Sequence, residues 1–227
     1  MSKDKPAQKE DACVLVSGGV ESMVLLSDAL GRYEHVTPFY VRNHLRWEET
    51  ELFWLKGFLR NLKQPNLRPL KVAELTLRDL YENHWSITGI KIPGVHSSNE
   101  SVYLPGRNLI FLSKAACFCS MNGITAIEIG VLKGNPFSDS TSRFFRKMSD
   151  VLSLGLNSEI SVRAPFQKFK KEDVIVMGRK LMLEMTFSCI NPKGYEHCGE
   201  CNKCTERKKA FFGAGVFDKT KYKKSGI

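Results

Sequence analysis

The chain has 227 residues, 42% hydrophobic and 26% charged, which is ordinary for a globular protein and excludes a disordered, collagenous or fibrous chain. Thirty-four Lys and Arg against 24 Asp and Glu leave a formal charge of +10, which draws in anions such as nucleotides, carboxylates or nucleic acid without choosing among them. The length suits one domain with an appendage.

Residues 1–11 alternate basic, acidic and small polar side chains without an apolar h-region, and later apolar runs are broken well short of the ~18 residues that a membrane span needs. A flexible N-terminus and a cytoplasmic location are expected. Ala12 to Val16 is a continuous apolar run closed by Ser17-Gly18-Gly19, after which Met23, Leu26 and Leu30 recur at helical spacing. The pattern predicts a strand, a tight turn and a helix. His35 to Val41 predicts a second strand, and Trp47 to Leu62 a second helix whose Glu48, Glu49 and Glu51 suit the positive end of the helix dipole. Further strands are predicted over Leu67 to Leu75, Ala126 to Val131 and Ile160 to Ala164, and further helices over Arg107 to Met121, Ser142 to Leu154 and Lys171 to Leu183. This alternation implies an α/β fold with an open, mainly parallel five-stranded sheet, helices on both faces, and ligands bound beyond the carboxyl ends of the strands.

Asn83 to Pro105 is rich in Gly, Pro and Ser with no sustained period, and is expected to be a long loop over that site. Basic residues gather at Arg42, Arg46, Lys56, Arg60 and Lys63 and in the tail from Thr205 to Ile227, where seven basic residues face two acidic ones. A solvated surface accounts for such clusters as readily as a ligand does. The last lysines are expected to fray.

The turn Ser17-Gly18-Gly19-Val20-Glu21-Ser22 lies between the first strand and the first helix, where unpaired backbone N–H groups point beyond the sheet and attract phosphate. Glycine lets the backbone approach an anion closely, and two serine hydroxyls add donors. Neither the Walker spacing nor the dinucleotide fingerprint is present, so from the residues alone a plain turn remains the alternative.

Four of seven cysteines, Cys189, Cys198, Cys201 and Cys204, fall within sixteen residues. In a chain long enough to build its own core and without a signal peptide, this spacing indicates metal ligands in a reducing compartment. Four thiolates leave zinc no open coordination position, which makes the site structural; disulfides, a redox pair and an iron–sulfur cluster are the alternatives. The turn Asn191-Pro192-Lys193-Gly194 has to bring Cys189 back to the other three. Cys13, Cys117 and Cys119 are expected in the core. None of the five histidines has ligand spacing to another. Arg107 and Asn108 open a predicted helix, where Arg can fork onto phosphate or carboxylate and Asn can cap. Lys171 opens another.

The glycine turn resembles the Ser-Gly-Gly-x-Asp-Ser loop of the PP-loop ATP pyrophosphatases. Leu104-Pro105-Gly106-Arg107-Asn108, Ile129-Gly130-Val131 leading to Asp139 and Phe144, Pro165 with Lys171, and Ser188-Cys189 with Cys198-Gly199-x-Cys201-x-x-Cys204-x-x-Arg207 resemble one branch, the 7-cyano-7-deazaguanine synthases (QueC/ExsB-like). The resemblance runs from about Cys13 to Tyr222. It implies an adenine nucleotide alpha hydrolase-like PP-loop domain over residues 12–184 and a zinc-binding module over 185–227. It also implies ATP contacts from Val16, Ser17, Gly18, Gly19, Val20, Glu21 and Ser22, charge compensation by Arg107 and Lys171, and a substrate or metal contact by Asp139. Structural Zn²⁺ on Cys189, Cys198, Cys201 and Cys204 and ATP as a substrate with Mg²⁺ complete the set.

The implied activity is an ATP-dependent carbon–nitrogen ligase. A carboxylate, 7-carboxy-7-deazaguanine or a relative, is adenylated, aminated by ammonia and then dehydrated to the nitrile, releasing AMP and pyrophosphate. The partners are that small acid and ammonia; a homodimer is compatible, and neither nucleic acid nor membrane is required. Glu21 replaces the family's Asp, and Lys133 to Thr141 keeps only the second Asp of the family's Asp-Tyr-Ser-Gly-Tyr-Pro-Asp-Cys-Arg segment. Other acceptors such as a protein amine therefore stay open, as do a tRNA-thiolating enzyme, which needs an exposed cysteine, and a non-catalytic zinc module that binds nucleic acid.

Overall fold

The computed structural model describes residues 10–223; most of the expected flexible N-terminus and the last lysine, Lys224, lie outside the described residues. Strands β1 (Ala12–Leu15), β2 (Val36–Arg42), β3 (Lys71–Glu74), β4 (Ala126–Ile129) and β5 (Ser161–Arg163) form one sheet in the order β3-β2-β1-β4-β5. Every pairing is parallel, with Ala12 opposite both Val36 and Ala126. The order reverses beside β1, so the connections leaving β1 and β4 diverge and open a crevice at their carboxyl ends.

The helices are α1 (Val20–Arg32), α2 (Glu48–Asn61), α3 (Arg78–Tyr81), α4 (Trp85–Thr88), α5 (Arg107–Met121), α6 (Ser142–Leu156), α7 (Lys171–Met177) and α8 (Asn202–Gly213). Successive strand residues face opposite ways, and β1 divides its side chains accordingly. Ala12 and Val14 join a core built with α1, α2, α7 and α8, whereas Cys13 and Leu15 join one built with α5 and α6. Both faces of the sheet are covered. A third cluster holds the four C-terminal cysteines together with Leu45, Trp47, Val102, Leu104 and Phe187. No helix among the described residues is long and apolar enough to cross a membrane.

Four local expectations are corrected. The helix expected over Lys171 to Leu183 stops at Met177, and a short 3-10 turn follows at Leu183–Met185. A Cβ on Gly178 would stand 2.5 Å from Val24 Cγ2, so glycine lets the chain turn away while still touching α1. The segment from Asn83 to Pro105 is not a bare loop but contains α4 and a 3-10 turn, Asn99–Val102. The side chain of His84 accepts the Ser86 N–H, and Gly89 at φ +73° ends α4. The basic tail contains α8, whose apolar residues Ala210 and Phe211 enter the first core. Cys117 is exposed rather than buried, because it lies on the outer side of α5, while Cys13 and Cys119 are in the core as expected.

Candidate functional site

The loop after β1 is tightly built. Ser22 Oγ accepts the Ser17 N–H at 3.2 Å and donates to the Gly19 carbonyl at 3.1 Å, and Gly19 N–H reaches Ser17 Oγ at 3.3 Å. Gly18 has φ +75°, and a Cβ there would meet the Glu51 carbonyl at 3.3 Å. Gly19 caps α1, so helix geometry leaves the N–H groups of Val20, Glu21 and Ser22 without intrahelical acceptors. Gly130, just past β4, leans on this loop: a Cβ would lie 3.2 Å from the Glu21 carbonyl carbon and 3.3 Å from the Ser22 nitrogen. Glycine is required there by close approach rather than by a positive φ.

Beyond the loop lies a cavity of about 210 Å³, whose wall includes Val16, Ser17, Ser22, Arg107, Asn108 and Asp139. Arg107 opens α5 and stacks its guanidinium on Phe111 at 4.9 Å, leaving its Nε buried without a hydrogen-bond partner among the described residues. A buried donor of this kind is costly unless a ligand meets it. Asp139 sits in a 3-10 turn before α6, is 7% exposed, and accepts the Asn108 N–H at 3.1 Å. Asn108 is therefore not the cap of its own helix; its amide donates to the Asp139 carbonyl at 3.0 Å, and Asp139 supplies the capping carboxylate. Burial raises the Asp139 carboxyl above its ordinary range, with the Asn108 N–H pulling it back.

A second cavity, of about 490 Å³, shares Gly130, Asn135 and Phe137 with the first. Lys171 faces it with a side chain only 9% exposed, so it does not open a solvated helix. Its Nζ stands 2.8 Å from Glu21 Oε1 and 2.9 Å from Glu206 Oε1, and Lys203 holds the other oxygen of Glu206 at 2.7 Å. Burial works against the Lys171 ammonium, but Glu21 and then Glu206 outweigh it and raise its pKa. Burial would raise Glu206 as well, yet Lys171 and Lys203 pull it down to about 2.

The Cys189, Cys198, Cys201 and Cys204 sulfurs are all buried and lie within 4.8 Å of one another, two pairs at 3.9 Å. A tetrahedral zinc thiolate site with bonds of ~2.3 Å separates its sulfurs by ~3.8 Å, so the cluster fits a metal of that size. Backbone N–H groups of Asn191 and Cys198 donate to Cys189 Sγ at 3.3 Å, as Cys201 N–H does to Cys198 Sγ, which favours thiolates over thiols. The turn that returns the chain lies two residues beyond the expected Asn191-Pro192-Lys193-Gly194, with Lys193 paired to Glu196 across Gly194 and Tyr195. Arg207 is fully buried and ties the module together, bonding Thr186 Oγ1 at 2.8 Å, the Leu183 carbonyl at 2.8 Å and Thr220 Oγ1 at 2.8 Å. His197 is no ligand: its Nε2 accepts the Ser188 N–H at 3.1 Å, and burial followed by the Arg207 charge depresses its pKa to about 3.

The structure thus gathers Ser17, Ser22, Arg107 and Asp139 on one cavity and Glu21 with Lys171 on its neighbour. Tyr40 and Glu206 carry no site signal in the sequence, where Glu51 reads only as a dipole-favoured acid. Glu51, Leu55 and Phe58 at spacings of four and three already placed that carboxylate on the buried face of α2. His44 lies away from the cavities, its Nε2 3.1 Å from Glu74.

A solved 4-thiouridine synthetase–RNA complex with bound ATP superposes with a TM-score of 0.53 over 91% of this chain and 50% of that chain, at 17% identity. The fold and its loop therefore define a PP-loop-like α/β protein. A family model described as Queuosine biosynthesis protein QueC matches residues 11–215. A 7-cyano-7-deazaguanine synthase of Picrophilus torridus is 33% identical over 93% of this chain and 91% of the relative. One from Thermoplasma acidophilum is 32% identical over 96% and 94%. The chain belongs to the QueC family.

Proposed function

We propose that the protein is an ATP-dependent carbon–nitrogen ligase of the 7-cyano-7-deazaguanine synthase type, acting on 7-carboxy-7-deazaguanine or a related acid. The observation that carries this proposal is the common cavity of Ser17, Ser22, Arg107 and Asp139, joined at Gly130 to the cavity of Glu21 and Lys171. The loop amides and serines would hold the pyrophosphate end of ATP, and Arg107, with its unpartnered buried Nε, would offset charge as the α-phosphorus is attacked. A carboxylate oxygen of the substrate forms the new bond to phosphorus while pyrophosphate departs. Ammonia then displaces AMP to give the amide, and a second activation by ATP removes the amide oxygen to leave the nitrile. No nucleophilic side chain is needed; Cys117 is exposed, as the thiolating alternative requires, but no cysteine lines either cavity, which weighs against that alternative.

Magnesium arriving with ATP would screen the phosphates, and Glu21 and Asp139 are two carboxylates at hand for it. Zinc on the four cysteines would supply folding energy and no chemistry, since all four positions are filled by sulfur. Lys171 would exchange part of its hold on Glu21 for phosphate. Asn135, Phe137 and Asp139 would contact the acid; Asp139 is kept from the family's segment, while Asn135 and Phe137 depart from it and leave room for a different acceptor amine.

Purified protein given ATP, Mg²⁺, 7-carboxy-7-deazaguanine and ammonium should form AMP and pyrophosphate in an acid-dependent manner. Release that never exceeds the protein-free rate across a panel of carboxylates would contradict the proposal.

A further inference from the structure

The first cavity holds a carboxylate that adenylation does not use. Glu51 of α2 is 7% exposed and lines the wall near Ser17 and Ser22, with its Oε1 accepting the Tyr40 hydroxyl at 2.9 Å. Its Cγ would lie 3.6 Å from a Cβ on Gly18, so the side chain passes against the glycine loop on its way to the cavity wall. A hydroxyl rather than a contacting cation holds it, and an enclosed carboxylate so held is expensive compared with the leucines that follow it on the same helix. Asp139, the other carboxylate on this wall, is already engaged by the Asn108 N–H. Glu51 has accepting capacity left.

This inference rests on the adenylation proposal. If AMP sits with its phosphate between the loop and Arg107, the acyl carbon lies inside the cavity, where an amine must arrive and shed a proton. We infer that Glu51 is the general base of the amine step, taking a proton from ammonia or a primary amine as its nitrogen attacks the acyl-adenylate. The nitrogen lone pair forms the C–N bond, and the C–O bond to AMP breaks with its electrons passing to the AMP phosphate oxygen. The proton moves from nitrogen to Glu51 and then to solvent, so nothing is oxidised or reduced.

The surroundings suit the task. Burial pushes the Glu51 carboxyl up to about 7, with the Arg107 charge and the Tyr40 hydroxyl drawing it back. The groups acting on it are Arg107 from α5, Tyr40 from β2, Glu48 from its own helix and the side chain of Trp47 just before that helix, while Asp139 completes the charged lining of the cavity. A base titrating near the working pH is present in its accepting form and still strong enough to take a proton.

The test compares the metal-loaded parent with Glu51→Gln and Glu51→Asp, using 7-carboxy-7-deazaguanine as the acid. Isotope exchange between pyrophosphate and ATP without amine reports adenylation, and amide formation with ammonium reports the second step. Glu51→Gln should keep exchange, slow ammonium-dependent amide formation roughly 10²-fold and flatten the acid limb of its pH profile. Hydroxylamine, an α-effect nucleophile that leans less on a base, should be affected less. Glu51→Asp should retain the acid limb at a lower rate. Equal losses in exchange and amide formation, or either variant forming amide as fast as the parent, overturn the inference. A parent without exchange contradicts the adenylation proposal first and this inference with it.

Discussion

Glu206 of α8 lies 2.9 Å from Lys171 of α7, and the same ammonium continues 2.8 Å to Glu21 of the phosphate loop. The helix that starts inside the cysteine cluster is thereby joined electrostatically to the loop proposed to hold ATP. Lys171→Met leaves two carboxylates facing each other without their shared cation. Breaking such a pair costs about 3 kcal/mol. Urea denaturation should show that loss, and titration calorimetry should show weakened ATP binding; unchanged binding would remove Lys171 from the phosphate site.

Glu206 gives the network a pH signature. Its folded pKa is depressed to about 2 from 4.5, so its stabilisation is fully present above 4.5 and drains away as the pH falls toward 2. Glu206→Gln should cost roughly 2 kcal/mol at neutral pH and almost nothing at pH 2. Denaturation midpoints of the two proteins, measured from pH 7 downward, should converge over that interval.

Glu51 has the opposite sign. Its folded pKa is raised from 4.5 to about 7, so the folded state prefers the protonated acid and loses stability as the pH rises through this window. Glu51→Gln should therefore raise the stability of the ligand-free protein by roughly 2 kcal/mol at pH 8 and leave it nearly unchanged at pH 4. Melting curves at the two pH values settle the sign.

Removing the metal should undo the C-terminal module. Cys201 Sγ caps α8 by accepting the Cys204 N–H at 3.4 Å, and the Phe187 N–H donates to the Gly18 carbonyl at 2.7 Å. A strong chelator, or Cys201→Ser, should unfold α8, lower the melting temperature by roughly 10 °C and loosen the phosphate loop through Phe187. Elemental analysis should find one zinc per chain, without the visible absorption of an iron–sulfur cluster.

Gly130→Ala tests the close approach of β4 to the loop. The added carbon would meet backbone atoms at 3.2 and 3.3 Å, and backbone cannot rotate aside. The expected outcome is a cost of about 1–2 kcal/mol from overpacking and a disproportionate drop in ATP affinity, measured by calorimetry.

Much of this was legible in the chain. Strands β1, β2 and β4 stood out as short, mainly apolar runs, whereas β3 (Lys-Val-Ala-Glu) and β5 (Ser-Val-Arg) showed only within longer expected runs, and α5 was delimited to the residue, Arg107–Met121, by the preceding Pro105-Gly106 and its own spacing. The four cysteines declare themselves through local spacing, and the glycine turn through its place between β1 and α1, where the residues alone left a phosphate site and a plain turn both open. Features that depend on distant chain did not. Helix α8 was hidden because its lysines obscure a weak apolar stripe, and its cap is a cysteine sulfur. Glu206 gains meaning only once Lys171, thirty-five positions earlier, arrives beside it. Asp139 caps α5 from a segment thirty-one residues later. Tyr40 and Glu51 come from neighbouring elements, and only their packing turns an ordinary acidic helix start into a carboxylate on a cavity wall.

The central claim is that an oxygen of the substrate carboxylate becomes bonded to the α-phosphorus of ATP. Turnover of 7-carboxy-7-deazaguanine labelled with ¹⁸O in its carboxylate, followed by mass spectrometry of the nucleotide product, tests this directly. The account predicts AMP carrying one ¹⁸O atom. Unlabelled AMP, or ADP with labelled inorganic phosphate, would contradict it.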